Sequence, residues 1–126
     1  MDINSLTVGQ AKELAGLFGS NSQASTGINY AVGQIVLIRT YSAGIWCGTL
    51  TQKVGNEVVL SDARRMCRWW AAKSISLSAV AKFGIIREKS KIAPKIDGVW
   101  LEAIEIIAAT KIAADSIFGA ENAKAE

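Results

Sequence analysis

The sequence predicts an α+β fold: a small twisted antiparallel β-sheet or open barrel of about five strands, flanked by short helices, with an N-terminal helical arm on a flexible linker. Three observations carry that expectation. Apolar residues recur at helical spacing over residues 8–18 and at strand spacing from Tyr30 onward; glycine-centred turns separate the strand-like runs; and 50% of the 126 residues are hydrophobic, enough for one core. The expected organisation is an arm at residues 1–19, a linker at 20–29, a core domain at 30–119 and a polar tail at 120–126.

Thr7 followed three positions later by Gln10 reads as a capping box, so the arm helix is expected to start at Val8. Ala11, Leu14, Ala15 and Phe18 then share one face, and Gly19 is placed to stop the helix. About three turns are marginal alone, so this face has to dock on its own domain or on a neighbouring subunit. Gly19 to Asn29 offers almost nothing to bury and reads as the linker. The continuous apolar run Ile35, Val36, Leu37 and Ile38 predicts a strand covered on both faces, and Ser42-Ala43-Gly44 turns the chain. In the next strand, Ile45 to Val54, Trp46, Gly48, Leu50 and Gln52 lie on one side and Ile45, Cys47, Thr49 and Thr51 on the other. Gly48 inside it marks a bulge or a close approach by another backbone. Gly55-Asn56 is a hairpin turn, and Glu57 to Leu60 returns as a third strand.

Further on, Ser74 is placed to cap a helix ending at Phe83, with Gly84 as its stop. Ile85 to Asp97 is basic, contains the only proline, Pro94, and reads as a loop or an edge. Gly98 to Ile107 is expected as a strand because of its β-branched residues, which sends Glu102 and Glu105 to opposite faces. Thr110 caps a last helix, Lys111 to Phe118, closed by Gly119.

Composition excludes more chemistry than it suggests. The chain has no histidine, and its two cysteines, Cys47 and Cys67, lack metal-ligand spacing, which removes imidazole catalysis and most zinc sites. The thiols are expected free and packed. Neither a phosphate-binding glycine loop with Lys-Ser or Lys-Thr nor a dinucleotide fingerprint occurs, so the expectation is no enzyme and no cofactor. The apolar runs are too short to span a bilayer and the start lacks a secretion signal, so no membrane is expected and a cytoplasmic setting is the simplest one. The net charge of +3 is segregated: residues 62–95 hold nine positive against two negative side chains, and residues 96–126 hold two against six. Such a pattern suits pairing within or between subunits. Nucleic acid is not the expected partner, because no reading helix accompanies the basic segment.

The candidate site is Leu60 to Trp70. It gathers Arg64, Arg65, Arg68, Trp69 and Trp70 around Asp62, with Arg39 as a further cation at the end of a buried strand. Guanidinium forks match phosphate and indole faces stack on flat rings, so these residues suit a cyclic or phosphorylated nucleotide. As a strand, the stretch would put Arg64, Met66, Arg68 and Trp70 on one side and Arg65, Cys67 and Trp69 on the other. The alternative is structural, with one tryptophan in the core, one at an interface, and Asp62 paired with a neighbouring arginine.

Leu6 to Gly19, Ile38-Arg39-Thr40, Gly48-Thr49-Leu50, Val58-Val59-Leu60, Ala63-Arg64-Arg65 with Trp69, and Glu102 to Ile107 together resemble a family of small, largely uncharacterised proteins of tailed bacteriophages and prophages. The resemblance implies a phage origin and a homo-oligomer. It admits two roles: a sponge that sequesters a nucleotide immune signal in the host cytoplasm, or a virion structural or decoration protein assembling through its arm.

Overall fold

The computed structural model describes residues 28–124. The arm helix and the linker up to residue 27 lie outside the described residues. The fold is α+β: strands β1 (Ile35–Thr40), β2 (Ile45–Val54), β3 (Glu57–Arg68), β4 (Lys91–Ile92) and β5 (Ile96–Ala108) form an antiparallel sheet, with helices α1 (Leu77–Phe83) and α2 (Lys111–Phe118) beside it. A 3₁₀ turn at Arg87–Lys89 precedes β4.

The strand order is β2-β1-β5-β3-β4, and β2 also pairs with β3. Neighbours change along the strands, so the sheet closes on itself without becoming a regular barrel. β5 illustrates this: its first half pairs with β3, Glu57 facing Glu102, and its second half with β1, Val36 facing Ala108. The turns are where glycine allows them. Gly44 (φ 86°) closes the β1–β2 connection and Gly55 (φ 59°) the β2–β3 hairpin.

Two cores lie on the two sides of the sheet. Val36, Ile38, Trp46, Leu50, Val58, Leu60, Ala63, Leu101 and Ala103 fill the inner one. Leu37, Cys47, Met66 and Ile92 meet Val80, Ala81, Ile85 and Ile117 of the helical layer in the other. β1 feeds both, as its unbroken apolar run requires. Gly48 packs where β2 shifts register against β3, and a Cβ there would stand 3.1 Å from Ala63 and from the Ser61 carbonyl. The predicted close approach is the reason for this glycine.

Four features differ from expectation. β3 does not end at Leu60 but runs through the arginine stretch to Arg68, and β5 starts at Ile96 instead of Gly98. α1 is capped by Ser76, whose hydroxyl accepts from the Ala79 amide at 3.1 Å, while Ser74 sits outside the helix at φ 63°. A bulge at Ile104 resets the alternation of β5, so Leu101 and Ala103 before it and Ile106 and Ala108 after it belong to the same core. Glu102 and Glu105 therefore both stand on the outside, although not as a pair. α2 is as expected, with the Thr110 hydroxyl accepting from the Ala113 amide.

The thiols are free but not alike. Cys67 is exposed, contrary to the expectation of two packed thiols, because strand alternation puts it on the face opposite the buried Met66, beside the exposed Arg65. Cys47 is fully buried, and burial pushes its thiol up to about 12, with Arg64 pulling weakly the other way. In the native chain one thiol is expected to react with a disulfide reagent, and two after denaturation. Because the folded-state value lies above the ordinary 9.0, the folded chain holds this proton longer. Stability is therefore expected to fall from pH 9 to pH 12 by up to about 1.4 kcal/mol per unit, and urea titrations across that range check it.

Candidate functional site

Within one chain the arginine and tryptophan side chains of this stretch lie in several places. Arg64 is only 2% exposed and lies behind the sheet, opposite Cys47 across β2 and β3. Its Nε donates to the Ala93 carbonyl at 2.8 Å, Nη1 to the carbonyls of Ile117 (2.9 Å), Phe118 (3.3 Å) and Ala120 (2.7 Å), and Nη2 to the Ile92 carbonyl (3.3 Å) and Asn122 Oδ1 (2.9 Å). All its N–H groups are engaged by the protein. Burial lowers its pKa, yet an arginine starts so high that it stays charged at neutral pH. This cation joins the end of α2, β4 and the C-terminal tail to the middle of β3.

The remaining candidates point in several directions. Arg65 lies over the ring of Trp46 at 4.7 Å, and Arg39 Nε bonds Glu105 Oε1 at 2.8 Å. Asp62 takes the left-handed conformation at φ 50° and faces Lys95 at 3.8 Å, not an arginine. Its kink lets both Leu60 and Ala63 reach the inner core. Past the second irregularity, between Met66 and Arg68, Trp69 packs partly buried against the helical core while Trp70 stands 55% exposed with Lys89 Nζ 5.3 Å from its ring. Arg68 is exposed beside Lys91. The expected set of Arg64, Met66, Arg68 and Trp70 on one side is thus split, the first two in, the last two out. The register break between Met66 and Arg68 is the cause.

The surface that does gather exposed apolar side chains is elsewhere. A cleft of about 310 Å³ is lined by the Thr40–Ala43 turn, Asn56 and residues 100–104 of β5. Within it Tyr41 is 91% exposed, Trp100 56% and Ile104 53%. The backbone of the turn and the Trp100 ring are held by hydrogen bonds. The Thr40 hydroxyl accepts from the Ala43 amide and donates to the Gly44 carbonyl, both at 2.8 Å, and Trp46 Nε1 donates to the Ala43 carbonyl at 3.0 Å, which fixes the turn presenting Tyr41. Trp100 Nε1 donates to Glu57 Oε1 at 3.1 Å, which fixes the indole. Rigid apolar groups lose little entropy on contact, so such a cleft is suited to docking another apolar surface.

In the sequence Trp100 reads as an ordinary strand residue. Alternation along β5, with Leu101 and Ala103 inward, was the signal available for Trp100 and Ile104. What brings Tyr41 beside them is β5 lying between β1 and β3, which no local pattern announces.

Among the described residues no group of three or more His, Cys, Asp or Glu side chains is placed to hold a metal ion. No helix there is long and apolar enough to cross a membrane. Residues 33–117 match the model of the DUF6948 family, described as a domain of unknown function. The chain belongs to that family. The DUF6948 match takes in all five strands, both cysteines, Arg64 and the Tyr41–Trp100 cleft, and it ends one residue before the end of α2. No curated protein and no solved structure matches this DUF6948 chain.

Proposed function

We propose that the protein is a non-enzymatic interaction module that assembles through the apolar cleft of β5, in the manner of a structural or decoration component of a phage particle. The observation that carries this reading is the contrast between two places: the guanidinium best placed in sequence to hold a phosphate already donates to five main-chain carbonyls and Asn122, while Tyr41, Trp100 and Ile104 stand exposed around one cleft. The phage setting rests on the sequence resemblance. A nucleotide sponge would need Arg39, Arg64, Arg68 and a tryptophan around one cavity, and none of the seven candidate residues lines the cleft of Tyr41 and Trp100.

A thermal-shift panel of cyclic nucleotides is expected to leave the melting temperature unchanged, and mass spectrometry of purified particles from a phage carrying the gene is expected to find the protein in stoichiometric amount. A nucleotide that raises Tm in the wild type, and no longer does so in Arg68→Ala, returns the function to sequestration.

A further inference from the structure

The apolar cleft lies beside the place where the chain passes into residues 1–27. Ile28 and Tyr30 line a second cleft, of about 380 Å³, with Lys53, Gly55, Asn56 and residues 103–106. The two clefts share Asn56, Ala103 and Ile104, so they form one track from Ile28 to Trp100. Large apolar side chains stand exposed along its whole length.

We propose that this track is the docking site of the chain's own residues 8–18, folded as the amphipathic helix their spacing encodes, with Leu14 and Phe18 against Trp100 and Ile104. The inference rests on the interaction-module reading and names the occupant of its cleft. Length is the first support. Residues 20–27, extended, reach about 27 Å at roughly 3.4 Å each, enough to turn back from Ile28 and lay a helix of about 16 Å along the track.

Charge is the second. Glu102 projects beside Trp100 and has no partner among the described residues, and it faces Glu57 across the β3–β5 pairing, a like-charge pair that invites a cation. On the arm, Lys12 falls next to the Ala11, Leu14, Ala15 and Phe18 stripe and Glu13 falls away from it. The tether is the third. A tether as short as residues 20–27 would hold residues 8–18 at an effective concentration in the millimolar range, so in dilute solution its own chain outcompetes a second copy. In a dense assembly the same contact passes between neighbours without new chemistry.

Hydrogen exchange on the full chain tests this. Amides of residues 11–18 are expected to exchange about tenfold or more slowly than in an unstructured peptide, and Trp100→Glu with Ile104→Glu is expected to abolish that protection while the β3 amides stay protected. Absence of protection in the wild type, or its survival in the double variant, overturns the proposal. A Leu14→Cys, Ile104→Cys pair in a Cys67→Ser background is expected to crosslink within one chain, at monomer mass. A product at dimer mass overturns the assignment to the chain's own helix. Neither readout depends on nucleotides or on particles, so failure here and failure of the assembly role are separable.

Discussion

Arg64→Ala is expected to destabilise the fold by about 3–5 kcal/mol, the largest effect of any single substitution in β3. A hydrogen bond from a charged donor contributes about 1.5–3 kcal/mol, and deleting the donor leaves buried acceptors dry. Here the orphans are the carbonyls of Ala93, Ile92, Ile117, Phe118 and Ala120 together with Asn122 Oδ1, so the contributions overlap and their plain sum overstates the loss. Lysine cannot substitute, because one ammonium does not span acceptors on both sides of a planar fork. Urea denaturation of Arg64→Ala, Arg64→Lys and Arg68→Ala is the measurement. The exposed Arg68 is expected to cost less than about 1 kcal/mol. If Arg64→Ala and Arg68→Ala prove equal, Arg64 is not the cation that joins the C-terminal segments to the sheet.

Gly84→Ala is expected to cost about 3 kcal/mol. Gly84 ends α1 at φ 90° and ψ −163°, a region open in practice to glycine alone, and forcing another residue there costs about 1–3 kcal/mol. A Cβ would also stand 2.7 Å from Ser116 Cβ and 2.8 Å from its Oγ. That hydroxyl accepts from the Ile85 amide at 3.0 Å and donates to the Ile85 carbonyl at 3.2 Å, so pushing it away opens the seam between the helices. Gly44→Ala separates the two causes, since Gly44 has a similar φ of 86° and nothing within 4 Å of an added Cβ. Thermal unfolding is expected to rank Gly84→Ala well below Gly44→Ala. Equal losses would leave backbone strain as the whole effect.

What was legible in the sequence was local. Gly44 and Gly55 announced their turns, Thr110 announced α2, and the alternation of Ile45 to Val54 assigned Trp46 and Cys47 to opposite cores. The rest failed where alternation is interrupted. Asp62, the step between Met66 and Arg68, and Ile104 each change which side follows, and a bulge needs no special residue to mark it. The role of Arg64 was hidden for a different reason: its acceptors lie 28 to 58 positions away. Composition saw a cluster of cations and rings, whereas topology sent one to the interior and scattered the others.

β4 is two residues long and pairs with β3 on one side only. On its other side the tail takes the vacant position: Asn122 bridges Ile92 in parallel, and the Ala123 amide donates to the Ile92 carbonyl at 2.8 Å. An unprotected margin of this kind is where foreign strands add and fibrils begin. A handful of small residues after α2 thus keeps each molecule from templating the next, so that any higher-order structure it joins is chosen by side chains rather than by open-ended backbone polymerisation.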